Sequence, residues 1–188
     1  MSAEIMLNTA RLRLKRLGLE DAQALFSYRS MPGVYRFQSW RPVDIRDAVV
    51  FINDVADIPD IPGTWYQLAI FLKKTQQLIG DIGVHFSASG EKREVELGCT
   101  LAPESQGFGY ATEALTEVIA YLFTSLKKRS VRFSIDPRNI PSIKLALRLG
   151  LHQVEYLEKS VCIDGEWCDD VIYSIDAAEW SLCLTVDS

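Results

Sequence analysis

From Val95 to Leu126 the sequence passes from a strand pattern, through a loop punctuated by Gly107 and Gly109, into a long amphipathic helix, and few folds accommodate that order. Val95 to Leu101 is an apolar run of strand length. From Tyr110 onward, Ala111, Ala114, Leu115, Val118, Ile119, Leu122, Phe123 and Leu126 recur at helical spacing and make one broad buried face. Thr112, Glu113, Thr116, Glu117 and Thr124 fall on the other face. Glu113 in the first turn, with Lys127, Lys128 and Arg129 after the last, follows the charge order that a helix dipole favours.

This arrangement suits an anion. A helix start leaves several backbone N–H groups without partners, and the glycines let the preceding chain curl closely around a ligand, so the two together form a nest for a phosphate or pyrophosphate. A P-loop would need Gly-Lys-Ser/Thr at the helix start, whereas Gly109 is followed by Tyr110-Ala111-Thr112. A dinucleotide fingerprint would need a third glycine where Thr112 stands. The spacing that remains is Gln106-x-x-Gly109-x-Ala111.

The rest of the chain frames that stretch. Leu12 and Leu14 alternate with basic residues as in a half-buried strand, and Asp21 opens a short helix that Pro32-Gly33 is expected to end. An aromatic loop follows over 34–42, then a helix from Asp44 with Ile45, Ala48, Val49 and Ile52 on one face. Trp65–Leu72 and Leu78–Phe86 read as a hairpin, with Asp81 a lone carboxylate between Gly80 and Gly83. Val131–Ile135 is a further strand. Asn139 then caps a helix that has Pro141 in its first turn and ends at Gly150. Val154–Ile163 and Trp167–Ile175 make a closing hairpin about Asp164-Gly165, and the residues beyond it read as an add-on.

At 188 residues with 48% apolar and 24% charged side chains, one soluble domain over 1–188 is expected. No apolar run approaches a membrane span, and the start lacks the basic-then-apolar order of a signal peptide, so the expected location is cytoplasmic. A net charge of −5 without a basic run argues against nucleic acid and would suit a cationic amine. Cys99, Cys162, Cys168 and Cys183 show no Cys-x-x-Cys pairing, and with only His85 and His152 beside them no metal site is expected. Exposed strand edges leave room for a homodimer.

Gln106-x-x-Gly109-x-Ala111, set on strand, loop and helix, resembles the pyrophosphate loop of the GNAT superfamily of acyl-CoA-dependent N-acetyltransferases. Asn139-x-x-Ser142, on a helix ending in Leu149-Gly150, is similar to the second signature of that family. Thr9–Leu14, Pro103–Leu115 and Gly165–Tyr173 resemble its RimJ/RimL-type branch, ribosomal-protein N-terminal acetyltransferases among them. The resemblance implies an α+β fold with a mixed, mostly antiparallel central sheet flanked by helices. It also implies acetyl-CoA as acetyl donor, without a metal, and direct transfer to a primary amine in a ternary complex. That amine is a protein N-terminus or a small molecule (polyamine, amino acid or aminoglycoside). The alternative is a CoA-binding module without catalysis.

Carried over residue by residue, the resemblance places the cofactor on Cys99 and Leu101 of the central strand and on Gln106, Gly107, Phe108, Gly109, Tyr110, Ala111 and Thr112 of the loop and helix start. Asn139 and Ser142 would face the pantetheine arm and thiol. Tyr35, Phe37, Trp40, Trp65 and Tyr66 are candidate walls of the acceptor site. Glu96 is the first candidate for general base, with Asp81 or a water chain as its rival. Many family members protonate the leaving thiolate with a tyrosine where this chain has Ala146, so Ser142 is the expected substitute. RimL-type enzymes carry a glutamate where Val161 stands here, which separates this chain's acceptor site from theirs.

Overall fold

The computed structural model describes residues 4–88, 93–163 and 165–186. Its centre is an eight-stranded sheet in the order β1-β2-β3-β4-β5-β6-β8-β7, formed by β1 (Leu7–Asn8), β2 (Leu12–Arg16), β3 (Thr64–Leu72), β4 (Leu78–Phe86), β5 (Glu94–Leu101), β6 (Ser130–Ile135), β7 (His152–Ile163) and β8 (Glu166–Asp176). All neighbouring strands run antiparallel except β5 and β6, so the expected mixed, mostly antiparallel sheet is what the chain forms.

Helices cover both faces. On one, α1 (Ala22–Arg29) and α3 (Ile45–Asp54) pack Leu25, Tyr28, Ala48 and Ile52 against Ala69, Phe71 and Leu78 of β3 and β4. On the other, α4 (Tyr110–Thr124) lays Ala114, Leu115, Val118, Ile119 and Leu122 on the sheet core together with α5 (Ile140–Arg148). Leu115, Ile119 and Leu122 are fully buried, and each such side chain stabilises the fold by roughly 1.5–3 kcal/mol. The helix that carries the glycine loop is therefore firmly seated.

Two local features add detail. As expected, α1 ends before Pro32-Gly33, and Pro32 then starts a short α2 (Pro32–Tyr35), since its fixed φ suits a first helical turn. The add-on beyond β8 forms α6 (Ala177–Val186). Asp176 accepts from the amides of Ala178 and Glu179, at 2.9 and 2.8 Å, and Glu179 accepts in return from the Asp176 amide. That reciprocal cap can be read in the sequence as Asp-x-x-Glu. Trp180 then packs 6.3 Å from Phe123, ring to ring. Asp164 of the expected final turn and 89–92 of the loop before β5 lie outside the described residues.

Candidate active site

β5 and β6 pair only through Glu94↔Ser130, Val95↔Val131 and Glu96↔Arg132. Beyond Glu96 the two parallel strands separate, and both connections to the following helices, 102–109 and 136–139, leave from the open end. A crevice at the carboxyl ends of parting parallel strands is a natural ligand site. Along it lies a cavity of about 430 Å³.

The loop that follows β5, whose residues 106–112 are not among those lining the cavity, holds Gly107 at φ +82° and Gly109 at φ +80°, a backbone region that side-chain-bearing residues seldom adopt. A Cβ added at Gly107 would meet nothing within 4 Å, so the cradle is open. Gly109 precedes α4, and no side chain caps that helix start. Its first bond runs from the Glu113 amide to the Gly109 carbonyl, which leaves the amides of Tyr110, Ala111 and Thr112 without helical acceptors. These features fit a pyrophosphate.

Arg11 on the segment before β2 braces the loop. Its Nη1 donates to the Phe108 carbonyl at 3.0 Å, its Nε donates to Glu113 at 2.6 Å, and its guanidinium lies 4.5 Å from the Tyr110 ring centre. Burial alone would oppose charge on Glu113, but hydrogen bonds from Thr9 and Arg11 more than offset it and hold the carboxyl below its ordinary range. Gln106 turns back and donates to the Leu101 carbonyl at 3.0 Å, so its side chain shapes the loop. Phe108 is exposed and Leu101 buried.

Phe37, Trp40, Trp65, Glu96, Cys99, Asn139 and Ser142 all line the cavity. Asn139 caps α5 by accepting from the Ser142 amide at 3.3 Å, which aims the start of that helix at the cleft. Burial, and then the Asp81 carboxylate, push the Cys99 thiol up to about 12, so it stays a neutral thiol on the cleft wall and is no nucleophile. Ala146 is fully buried in the core and carries no hydroxyl toward the cleft. Trp40 stacks on Phe51 at 4.4 Å between ring centres.

Two expected wall residues, Tyr66 and Tyr35, and the rival base Asp81 stand elsewhere. Tyr66 is wholly buried, its hydroxyl accepting from the Ile5 amide at 3.3 Å. Tyr35 is outside the lining, under the guanidinium of Arg41. Asp81 is fully buried behind the wall, bonded by Tyr28, by Arg29 and by Gln67. That carboxylate is committed to a guanidinium and has no open face toward an acceptor.

Glu96 faces the cavity and accepts from Arg132 Nε at 3.1 Å, while Arg132 also meets Glu94 at 3.0 Å. The hairpin side adds carboxylates that the sequence reading missed. Asp170 is buried and accepts from the Ser134 hydroxyl at 2.5 Å. Asp169 is held low by the Tyr156 hydroxyl and the Lys159 amide, and Asp136 by the Arg138 guanidinium. Strand alternation through Cys168, Asp170 and Ile172 was the available signal for Asp170. The lining thus carries Glu96, paired with Arg132, Asp136, paired with Arg138, and Asp169 and Asp170, beside Arg29, whose charge Asp81 already matches.

Comparison with known proteins agrees with this geometry. The model of the acetyltransferase (GNAT) domain matches residues 11–152. Uncharacterized N-acetyltransferase p20 of Bacillus licheniformis is 31% identical over 93% of this chain and 98% of its own length. The [ribosomal protein uS5]-alanine N-acetyltransferase of Escherichia coli is 26% identical over 63% of this chain and 61% of its own. Spermidine N-acetyltransferase from Vibrio cholerae, solved with CoA and spermine, shares the fold at a TM-score of 0.78 and 18% identity, over 92% of this chain and 99% of that one.

Proposed function

This chain belongs to the GNAT acetyltransferase family, and from that premise we propose that it moves an acetyl group from acetyl-CoA directly to a primary amine, a protein N-terminal amine in the first place. The observation that carries the reading is the parting of β5 and β6 after Glu96, with the uncapped start of α4 following Gly107 and Gly109 in the loop that leaves β5. Cys99, Asn139 and Ser142, expected beside the pantetheine arm and thiol, share one cavity with the aromatic wall, which supports transfer without a covalent enzyme intermediate.

Acetyl-CoA supplies an acetyl group activated as a thioester. The loop amides from Gly107 to Thr112 would hold its pyrophosphate, and the unpaired backbone of β5 past Glu96 would donate to the carbonyl oxygen as it gains negative charge. Glu96 takes a proton from the incoming ammonium, directly or through water, so that the nitrogen lone pair is free to form the new C–N bond. As the C–S bond breaks, Ser142, the hydroxyl at the start of α5, gives a proton to the departing thiolate. On this account Glu96→Gln lowers kcat by about 10²–10⁴-fold while acetyl-CoA affinity stays as in the wild type. A kcat within a few-fold of the wild type, with Asp170→Asn giving the large loss instead, would move the base to Asp170.

A second acceptor class has its own support. Four carboxylates line the cavity, two of them in ion pairs with Arg132 and Arg138, and such a lining draws small polycations as well as an N-terminal ammonium. CoA release with a panel of N-terminal peptides against a panel of polyamines, amino acids and aminoglycosides tests both. Turnover of peptides supports the first reading; turnover confined to small amines replaces it with the second. Binding of acetyl-CoA with no turnover on either panel would leave a CoA-binding module.

A further inference from the structure

Gly98 stands in the middle of β5, an interior strand of the sheet, and yet it is exposed. A Cβ built on it meets no atom within 4 Å. Interior strand positions are ordinarily filled by side chains that pack on cross-strand neighbours, so a glycine there often marks a close approach by something else. The sheet register identifies the surroundings. Across β4 its partner is Gly83, and next on β3 comes Gln67. On one side of that row lie Trp65, His85 and Glu96, and on the other Ala69, Asp81 and Thr100. A Cβ at Gly83 would come within 3.0 Å of the Trp65 ring, so the missing side chain lets the indole lie down on the sheet. Gly83 is covered by that ring, while Gly98 stays open between Glu96 and Thr100. It is also the first residue on this face beyond Glu96, where β5 and β6 part.

We infer that Gly98 seats the group attached to the acceptor's amine, and that its missing side chain sets how bulky this group can be. The inference rests on acetyl transfer at this cavity. Glu96 lies two residues away on the same face, about 6–7 Å along the strand, so an amine over Gly98 is within reach of its carboxylate directly or through one water. Trp65 offers the amine's neighbouring carbons an apolar wall and the ammonium a ring face. On the far side Gln38 donates to Thr100 at 3.0 Å and closes the depression. The floor beneath the acceptor is bare backbone, which discriminates by size alone.

The test replaces that floor. Gly98→Ala and Gly98→Val are read with acetyl-CoA and peptides differing only in a first residue of Gly, Ala, Val or Leu, and with propylamine against its α-methyl homologue. Acetyl-CoA binding, followed by calorimetry, and melting temperature should match the wild type in Gly98→Ala, which guards against misfolding of the larger variant. Discrimination against the bulkiest member should rise by about 10–200-fold, through KM, and more for Val than for Ala. An unchanged acceptor profile in both variants overturns the inference, as does a loss of acetyl-CoA affinity, which would make Gly98 part of the cofactor path. If the wild type itself releases no CoA with any acceptor, the transfer reading fails and this inference falls with it.

Discussion

Gly109→Glu protein should fold and melt close to the wild type but lose acetyl-CoA binding by more than a hundredfold. The φ of +80° at this position strains any L-residue, at a cost of roughly 1–2 kcal/mol. Two features offset that strain. A Cβ there meets only Arg11 Nη2, at an ordinary 3.5 Å, and a carboxylate ahead of a helix start is favourable by itself. The same carboxylate would occupy the cradle proposed here for a pyrophosphate. At about 4 Å, like charges repel by roughly 4 kcal/mol at an effective dielectric of 20, and that is close to a thousandfold in Kd. It would also draw Arg11 away from Glu113 and the Phe108 carbonyl, the contacts that hold the loop. Gly109→Ala is the control: it carries the strain without the charge and should weaken binding far less. Calorimetric titration of acetyl-CoA into both reads the difference. Wild-type affinity in the Glu variant would remove the cofactor from this loop.

What the sequence made legible is what local chemistry dictates. The loop and α4 could be placed from Gly107, Gly109 and the apolar period, and the structure starts that helix at Tyr110. The β3–β4 hairpin and the Asn139 cap were equally local. The acceptor side was not, because its meaning depends on neighbours distant in the chain. Asp81 was visible as a carboxylate in an apolar strand, a feature that suits a base as well as a buried ion pair. Only the arrival of Arg29, 52 residues away, decides between them. Tyr66 and Trp65 are adjacent and both aromatic, yet strand alternation sends one into the core and the other to the cavity. Nothing local sets Gly98 apart from other strand glycines; only the register, which puts it beside Gly83 with nothing above it, does.

Asp81→Ala is the substitution expected to cost most stability, and the reason lies in what it leaves behind. The carboxylate is fully buried and satisfies the Tyr28 hydroxyl, Nε and Nη2 of Arg29, and the Gln67 amide at once. Burial, and then the adjacent carboxylate, hold the Tyr28 hydroxyl protonated far above its ordinary range, so it donates at any working pH. Removing Asp81 strands a guanidinium that is only 12% exposed, and breaking one partner out of a buried ion pair costs about 3–5 kcal/mol. Chemical denaturation should show a loss of that size; a change under about 1 kcal/mol would mean that Arg29 finds water instead. Arg29→Met combined with Asp81→Leu removes both charges and should recover part of the loss, since apolar replacement of a buried pair is often neutral or better, while the Tyr28 hydroxyl and the Gln67 amide stay without their acceptor. The recovered protein should still be a poorer enzyme. Arg29 also holds Gln38, and Gln38 holds Thr100 on β5, so this chain of bonds ties the acceptor wall to the strand that borders the cofactor cleft. Stability restored with acceptor KM still raised would separate that positioning role from the purely structural one.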